Sequence, residues 1–139
     1  MLSYKNLDVW IYARALVKLV YEITRAFPKE EIFGLTSQIR RAAISVPLNV
    51  AEGCGRFHRK ETIHFMYISR GSLNELETAL ILSVDLGYLK ENELMQLTNK
   101  CEECKRLLNG FIKYQERANR KIADNNKEPS KDQPLTTDL

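Results

Sequence analysis

Long apolar runs are missing from this chain. No stretch of its 139 residues approaches the roughly 18 apolar residues that a membrane span needs. The first ten residues carry Lys5 and Asp8 and lack the apolar core of a secretory signal peptide. These absences predict a cytoplasmic protein that does not bind membranes.

Cysteine is scarce as well. The chain has three cysteines, Cys54, Cys101 and Cys104. Because an odd number is not typical of a disulfide framework, this count fits a reducing compartment. Cys101 and Cys104 make a C-x-x-C pair, but no second ligand pair accompanies it, and His58 and His64 lack the spacing of a zinc motif. We interpret the pair as small buried apolar residues, and we expect no metal and no cofactor.

The motifs of the common enzyme classes are also missing. The Gly53-Cys54-Gly55 segment is too short for a phosphate-binding loop, and it follows a predicted helix rather than a strand. No G-x-S-x-G nucleophile elbow occurs, and Ser45 and Ser69 have no base nearby in the sequence. We therefore expect no enzymatic activity.

The apolar residues that are present recur with the period of an α-helix. A first stripe lies between Leu7 and Phe27, with Asn6 as the expected N-cap and Pro28 marking the end. A second stripe contains Pro47, where we expect a kink, and the third begins near Lys60 and ends before a capping Gly87. The second segment also carries another apolar line, formed by Ile44, Leu48 and Ala51.

The fourth segment has the most regular pattern. Apolar residues alternate steps of three and four over four heptads, which favours the shallow packing of helix bundles. Gln115 is the one polar member, and we interpret it as a device that fixes register. The seam consists of Leu94, Leu97, Cys101, Cys104, Leu108, Phe111, Gln115, Ala118 and Ile122.

Together these segments predict an all-α fold, an antiparallel up-down four-helix bundle over residues 1–123. Residues 124–139 contain two prolines and almost nothing apolar to bury, so we expect a disordered C-terminal tail. The net charge of +3 divides into −2 for this tail and +5 for the body. A basic body is compatible with an anionic partner.

Basic residues cluster on the second helical segment, in the turn after it and on the third segment. With Phe57 interleaved, this cluster resembles a surface where arginine grips phosphate and a ring stacks on a base. The alternative is a solvated face with pairing inside the chain, and both interpretations stay open. The candidate nucleic-acid-binding residues are Arg40, Arg41, Arg56, Arg59 and Lys60.

Two further charged features accompany the cluster. Glu52 ends an apolar helix, where the helix dipole disfavours negative charge, so we expect a structural ion pair with a nearby arginine. A functional role for Glu52 is the alternative. A second basic run closes the fourth segment, and the helix dipole explains it equally well. That run comprises Lys113, Arg117, Arg120 and Lys121.

The segment GLTSQIRRAAISVPLNVAEG, residues 34–53, resembles the signature of bacterial four-helix-bundle proteins encoded in ribosomal RNA intervening sequences. The opening YKNLDVW, residues 4–10, is similar to that family's start, and the resemblance covers roughly residues 4–120. It implies a homopentameric ring similar to the accessory protein of diversity-generating retroelements, which binds nucleic acid and a reverse transcriptase. It implies no enzymatic activity.

Charge pattern and resemblance together predict a homo-oligomeric nucleic-acid-binding protein, for structured RNA more than for DNA. Five copies of a +5 body would create a strongly positive assembly. A reverse transcriptase or another protein is a further expected partner. The alternative function is a protein-interaction scaffold, in which the second apolar face around Leu48 docks a partner.

Overall fold

Each of the four periodic segments forms a helix in the computed structural model, which describes residues 3–126. The helices are α1 (Asp8–Thr24), α2 (Leu35–Cys54), α3 (Arg59–Asp85) and α4 (Glu91–Asn125). Short 3-10 turns at Tyr4–Asn6 and Lys29–Glu31 precede α1 and α2. None of these helices is both long and apolar enough to cross a membrane.

The helices pack in a closed cycle. Contacts join α1 to α2, α2 to α3, α3 to α4 and α4 back to α1, and among the described residues no diagonal pair of helices is in contact. Late residues of one helix meet early residues of the next, as when Thr62 Oγ1 donates a hydrogen bond to the carbonyl of Gly53 at 2.7 Å. The predicted antiparallel four-helix bundle is confirmed.

The seam of α4 follows the prediction for its first half and then departs from it. Leu97, Cys101, Cys104 and Leu108 are buried, but the next buried apolar residue is Ile112 rather than Phe111. A straight helix drifts by about 20° per heptad relative to a 3.5-residue repeat, so the buried stripe moves by one residue. Towards the end of α4 the predicted seam residue Ile122 is 47% exposed.

Two predicted helix boundaries shift, and one is confirmed. Asn6 does not cap α1, because it belongs to the preceding 3-10 turn, whose own cap is Ser3 accepting a hydrogen bond from Lys5 N. At the other boundary α4 continues two residues past 123, and the remainder of the predicted tail, from residue 127, lies outside the described residues. Gly87 ends α3 as predicted, with φ of 80°.

The turn after α3 is a Schellman motif, which explains the requirement for glycine. Gly87 N donates to the carbonyl of Val84 at 2.9 Å, and Tyr88 N donates to that of Ser83 at 2.8 Å. These bonds satisfy the last carbonyls of α3 and direct the chain back into α4.

Hydroxyl groups of α3 support α2 around its internal proline. α2 runs without a break through Pro47, which has no N–H to donate to the preceding turn. Ser69 Oγ donates to the carbonyl of Val46 at 2.9 Å, and the hydroxyls of Ser45 and Ser72 lie 2.8 Å apart. Polar side chains from both helices therefore join α2 to α3 at the turn that contains the proline.

Candidate nucleic-acid interface

The five basic residues predicted to bind nucleic acid do not form one surface. Arg40 and Arg41 lie in the first half of α2, whereas Arg56, Arg59 and Lys60 follow its end. At 1.5 Å per residue, the stretch of α2 from Arg40 to its end is about 20 Å long. The predicted site therefore divides into two regions.

Arg40 is engaged by α1. Its Nε donates a hydrogen bond to Thr24 Oγ1 at 3.0 Å, and its Cζ lies 4.5 Å from the ring centroid of Tyr21. Arg41 is exposed and makes no hydrogen bond or ion pair with the described residues. Both line an open groove of about 490 Å³. Arg40 thus joins α1 to α2, and Arg41 is the more available cation.

The other three residues share a larger groove at the end of the bundle where α2 ends and α3 begins. This end groove has a volume of about 1110 Å³. It combines basic side chains with aromatic and aliphatic ones from α3 and α4. Its lining consists of Arg56, Phe57, His58, Arg59, Lys60, Glu61, Ile63, His64, Phe65, Tyr67, Asn119 and Ile122.

The second basic run of the sequence lies on the last turns of α4, two of whose residues line the end groove. Because α3 and α4 are antiparallel, the last turns of α4 lie beside the first turns of α3, as the 2.8 Å hydrogen bond from Tyr67 Oη to Glu116 Oε1 shows. Asn119 and Ile122 line the groove, whereas the basic residues of this run border it on neighbouring faces of α4 and are not among its lining. All four basic residues of this run are exposed.

We define the basic end as residues 52–61 together with residues 113–124. It carries seven lysines and arginines against four carboxylates, an excess of positive charge, and three of the seven, Arg56, Arg59 and Lys60, line the end groove. Of these carboxylates, Glu52 lies 2.7 Å from Nη2 of Arg56. Both side chains of this pair are exposed, so the pair stabilises the fold by at most about 1 kcal/mol.

The basic side chains of the groove differ in how firmly they are held. Arg59 Nη1 donates to Gln115 Oε1 at 2.8 Å, and the Cζ of Arg56 lies 4.8 Å from the ring centroid of Phe65. Lys60 is exposed and has no such contact among the described residues. Each guanidinium has five N–H donors, so both arginines retain donors for an anion.

Hydrogen bonding also fixes the phenol of Tyr67 at the groove. Its bond to the Glu116 carboxylate is the main cause that raises the pKa of Tyr67 above its ordinary value, with burial and the negative charge of Glu116 adding to it. The phenol therefore keeps its proton at neutral pH and remains a donor to Glu116.

The C-x-x-C pair lies away from the groove, within the core. Burial is the first cause that raises the pKa of Cys101 and of Cys104 to about 12. Thiols with so high a pKa are protonated at neutral pH and are poor nucleophiles and metal ligands. Within residues 3–126, no group of three or more His, Cys, Asp or Glu side chains is arranged to hold a metal ion.

Fold and charge define a four-helix-bundle protein with one strongly basic end. The chain belongs to the 23S rRNA-intervening sequence protein family, whose model matches residues 5–110. The predicted family resemblance is therefore confirmed, while the similarity to the accessory protein of diversity-generating retroelements stays a prediction.

A solved structure supports the fold. It is the crystal structure of a protein of unknown function from the S23 ribosomal protein family of Bacteroides thetaiotaomicron, which superimposes with a TM-score of 0.69 at 24% sequence identity. The match covers 76% of this chain and 95% of that chain. None of the curated proteins matches this sequence.

Proposed function

We propose that this protein is a non-enzymatic, homo-oligomeric nucleic-acid-binding protein that binds structured RNA through its basic end. The observation that carries the proposal is that two basic runs, far apart in the sequence, lie at the same end of the bundle, where Arg59 of the first run bonds to Gln115 of α4. Phosphate contacts from such a surface supply most of the affinity of proteins for nucleic acids. The family's association with 23S rRNA intervening sequences also favours RNA over DNA.

Arg56, Arg59 and Lys60 remain the proposed phosphate ligands, joined by Arg117 and Arg120 from α4. Arg41 is a secondary candidate at the other groove, where several copies in an assembly would extend the contact. Arg40 contributes less to phosphate binding, because its guanidinium already contacts α1.

Self-association is proposed through the second apolar face of α2. An open groove of about 290 Å³ is lined there by apolar side chains of α1 and α2 together with Tyr4 and Arg14. Leu48 is 62% exposed, although it belongs to this apolar set. A second copy that covers the face would remove it from water. The family resemblance suggests a homopentamer, in which five basic ends would reinforce one another's field.

The test of RNA binding is a salt titration with matched variants. A labelled RNA hairpin is titrated by fluorescence anisotropy with the wild type and with a triple variant of the basic end, Lys60→Gln, Arg117→Gln and Arg120→Gln. The control removes three exposed charges elsewhere, with Lys18→Gln, Arg25→Gln and Lys100→Gln. We expect only the first variant to lower the slope of log affinity against log salt, by roughly 2 to 3 units.

Equal losses in both triple variants would show that the basic end is not the site. An affinity of the wild type that does not change with salt would contradict phosphate binding altogether. A DNA hairpin of the same sequence, titrated in parallel, tests the preference for RNA. Equal affinities would remove that preference.

The second candidate function is a scaffold for a partner protein, such as the reverse transcriptase that the resemblance suggests. The exposed Leu48 favours it. Leu48→Glu should reduce the mass measured by light scattering if copies associate through this face, while helicity by circular dichroism stays unchanged. If the wild type is monomeric, does not bind RNA, and retains a partner protein that Leu48→Glu loses, the scaffold is the function.

A further inference from the structure

Phe57 and Phe33 are almost fully exposed, with 92% and 95% of their surface accessible. Both lie in turns between helices, at opposite ends of α2. An exposed phenyl ring leaves its whole apolar surface in contact with water, which folding alone does not require. A ligand that covers the ring would recover part of that free energy.

The surroundings of the two rings differ. Phe33 comes soon after Glu30 and Glu31, whose charges repel an anion. Phe57 lies between Arg56 and His58 and lines the end groove, with its ring 5.0 Å from that of His58 in an edge-to-face arrangement. Only Phe57 therefore combines an available ring face with neighbouring cations.

The rest of the end groove repeats this combination. Among its apolar lining are Ile63, Phe65 and Ile122, while Arg56 and Lys60 bring positive charge. A nucleotide joins a flat, largely apolar base to a negatively charged phosphate, so it matches both parts of the lining. An aromatic ring can stack on any base, because every base has a π face.

We propose that Phe57 stacks on an unpaired base of the bound RNA, which enters the end groove while Arg56 and Lys60 contact its phosphates. This inference rests on the proposed function and adds the class of substrate, RNA with unpaired bases such as a loop or bulge. A perfect duplex offers its phosphates but covers its base faces, so it would leave Phe57 without a partner. Phe57 therefore adds affinity for unpaired RNA and adds none for a perfect duplex.

The test compares two probes and two matched variants. The probes are a single-stranded oligoadenylate and a fully paired RNA duplex of the same length. Phe57→Ala should weaken binding of the oligoadenylate by about tenfold or more and leave the duplex within about twofold. Phe33→Ala, which removes an equally exposed ring, should leave both affinities unchanged, and Phe57→Trp should retain the affinity for the single strand.

A spectroscopic signal separates stacking from a structural effect. An oligonucleotide that contains 2-aminopurine loses fluorescence when this base stacks, so the wild type and Phe57→Trp should quench it and Phe57→Ala should not. Light scattering of Phe57→Ala should give the mass of the wild type. A changed mass would place Phe57 in a subunit contact and overturn the inference.

Failure of this inference is distinguishable from failure of the proposed function. If Phe57→Ala binds both probes as tightly as the wild type, while the triple variant of the basic end weakens both, the phosphate surface stands and base stacking is wrong. If the wild type binds neither probe nor the hairpin, the proposed function fails and this inference fails with it.

Discussion

Arg59 and Gln115 are joined by a hydrogen bond across 56 residues of sequence, from Nη1 to Oε1 at 2.8 Å. The bond connects the first turn of α3 to the late turns of α4. Gln115 is only 9% exposed, so its carbonyl oxygen has little access to water as an alternative partner. The one polar member of the α4 seam is therefore bonded to α3, and its part in fixing register stays a prediction.

The pair predicts a non-additive result in a double-mutant cycle. Arg59→Ala leaves the Gln115 carbonyl without its donor, and an unsatisfied buried acceptor costs about 1 to 3 kcal/mol. Adding Gln115→Leu removes that acceptor, so the double variant should be more stable than Arg59→Ala alone. Urea unfolding followed by circular dichroism gives the change in the free energy of unfolding for Arg59→Ala, for Gln115→Leu and for the double variant. Additive losses would show that the hydrogen bond contributes nothing of its own.

The number and type of the helices could be predicted from the sequence, because apolar periodicity depends only on which face is buried. Details set by tertiary packing could not. A straight helix drifts against the 3.5-residue repeat, but the position at which burial moves from Phe111 to Ile112 depends on how α4 lies against its neighbours. The 3-10 turn that takes Asn6 away from its cap position has no periodic signal.

Close approach of α2 to α3 depends on Gly53. A Cβ added there would lie 2.6 Å from Met66 Cε and 2.9 Å from Phe65 Cβ, closer than side chains tolerate. Met66 could move its terminal methyl group, but the Cβ of Phe65 is fixed to the α3 backbone. Any side chain at Gly53 would therefore force the two helices apart.

Gly53→Ala should accordingly lower the free energy of unfolding by about 1 to 3 kcal/mol. Gly71→Ala is the matched control within a helix, because a Cβ at that position has no neighbour within 4 Å. Alanine is the better helix former, so this control should stabilise the protein by about 0.5 to 1 kcal/mol. Chemical denaturation measures both. If Gly53→Ala changed the free energy of unfolding as little as Gly71→Ala does, the helices would separate at little energetic cost.

Alanine substitution should lower stability more at Arg40 and RNA affinity more at Lys60. Arg40→Ala removes the contact with Tyr21 and the hydrogen bond to Thr24, which together contribute about 1 to 2 kcal/mol to stability. Lys60→Ala removes an exposed side chain and should change stability by less than about 0.5 kcal/mol. RNA affinity should fall more for Lys60→Ala than for Arg40→Ala. If RNA affinity fell more for Arg40→Ala than for Lys60→Ala, the RNA-binding site would lie in the first half of α2.

The basic residues could be identified from the sequence, but their separate roles could not. Nothing in the local pattern distinguishes Arg40, which packs on α1, from Arg41, which faces solvent. The proposed contribution of Arg117 and Arg120 to RNA binding depends on the antiparallel contact between α3 and α4. The predicted helix order already held that signal, because an antiparallel pair brings the end of α4 to the start of α3.

The buried thiols predict how stability responds to alkaline pH. Burial raises the pKa of Cys101 and Cys104 from 9.0 to about 12, so the folded state keeps protons that the unfolded state loses as pH rises above 9. The free energy of unfolding should therefore fall between pH 9 and pH 12, by up to about 1.4 kcal/mol per pH unit for each thiol. Well below pH 9 the two thiols should contribute no pH dependence, because they are protonated in both states.

The Cys101→Ala, Cys104→Ala double variant isolates this effect from lysines and tyrosines, which titrate in the same range in both proteins. Urea unfolding of both proteins at a series of pH values gives the difference in slope. The variant should be less stable at neutral pH because it leaves cavities in the core, yet its stability should fall less steeply above pH 9. Parallel curves for the two proteins would mean that the thiols ionise in the folded state as readily as in the unfolded chain, which contradicts their burial in the bundle.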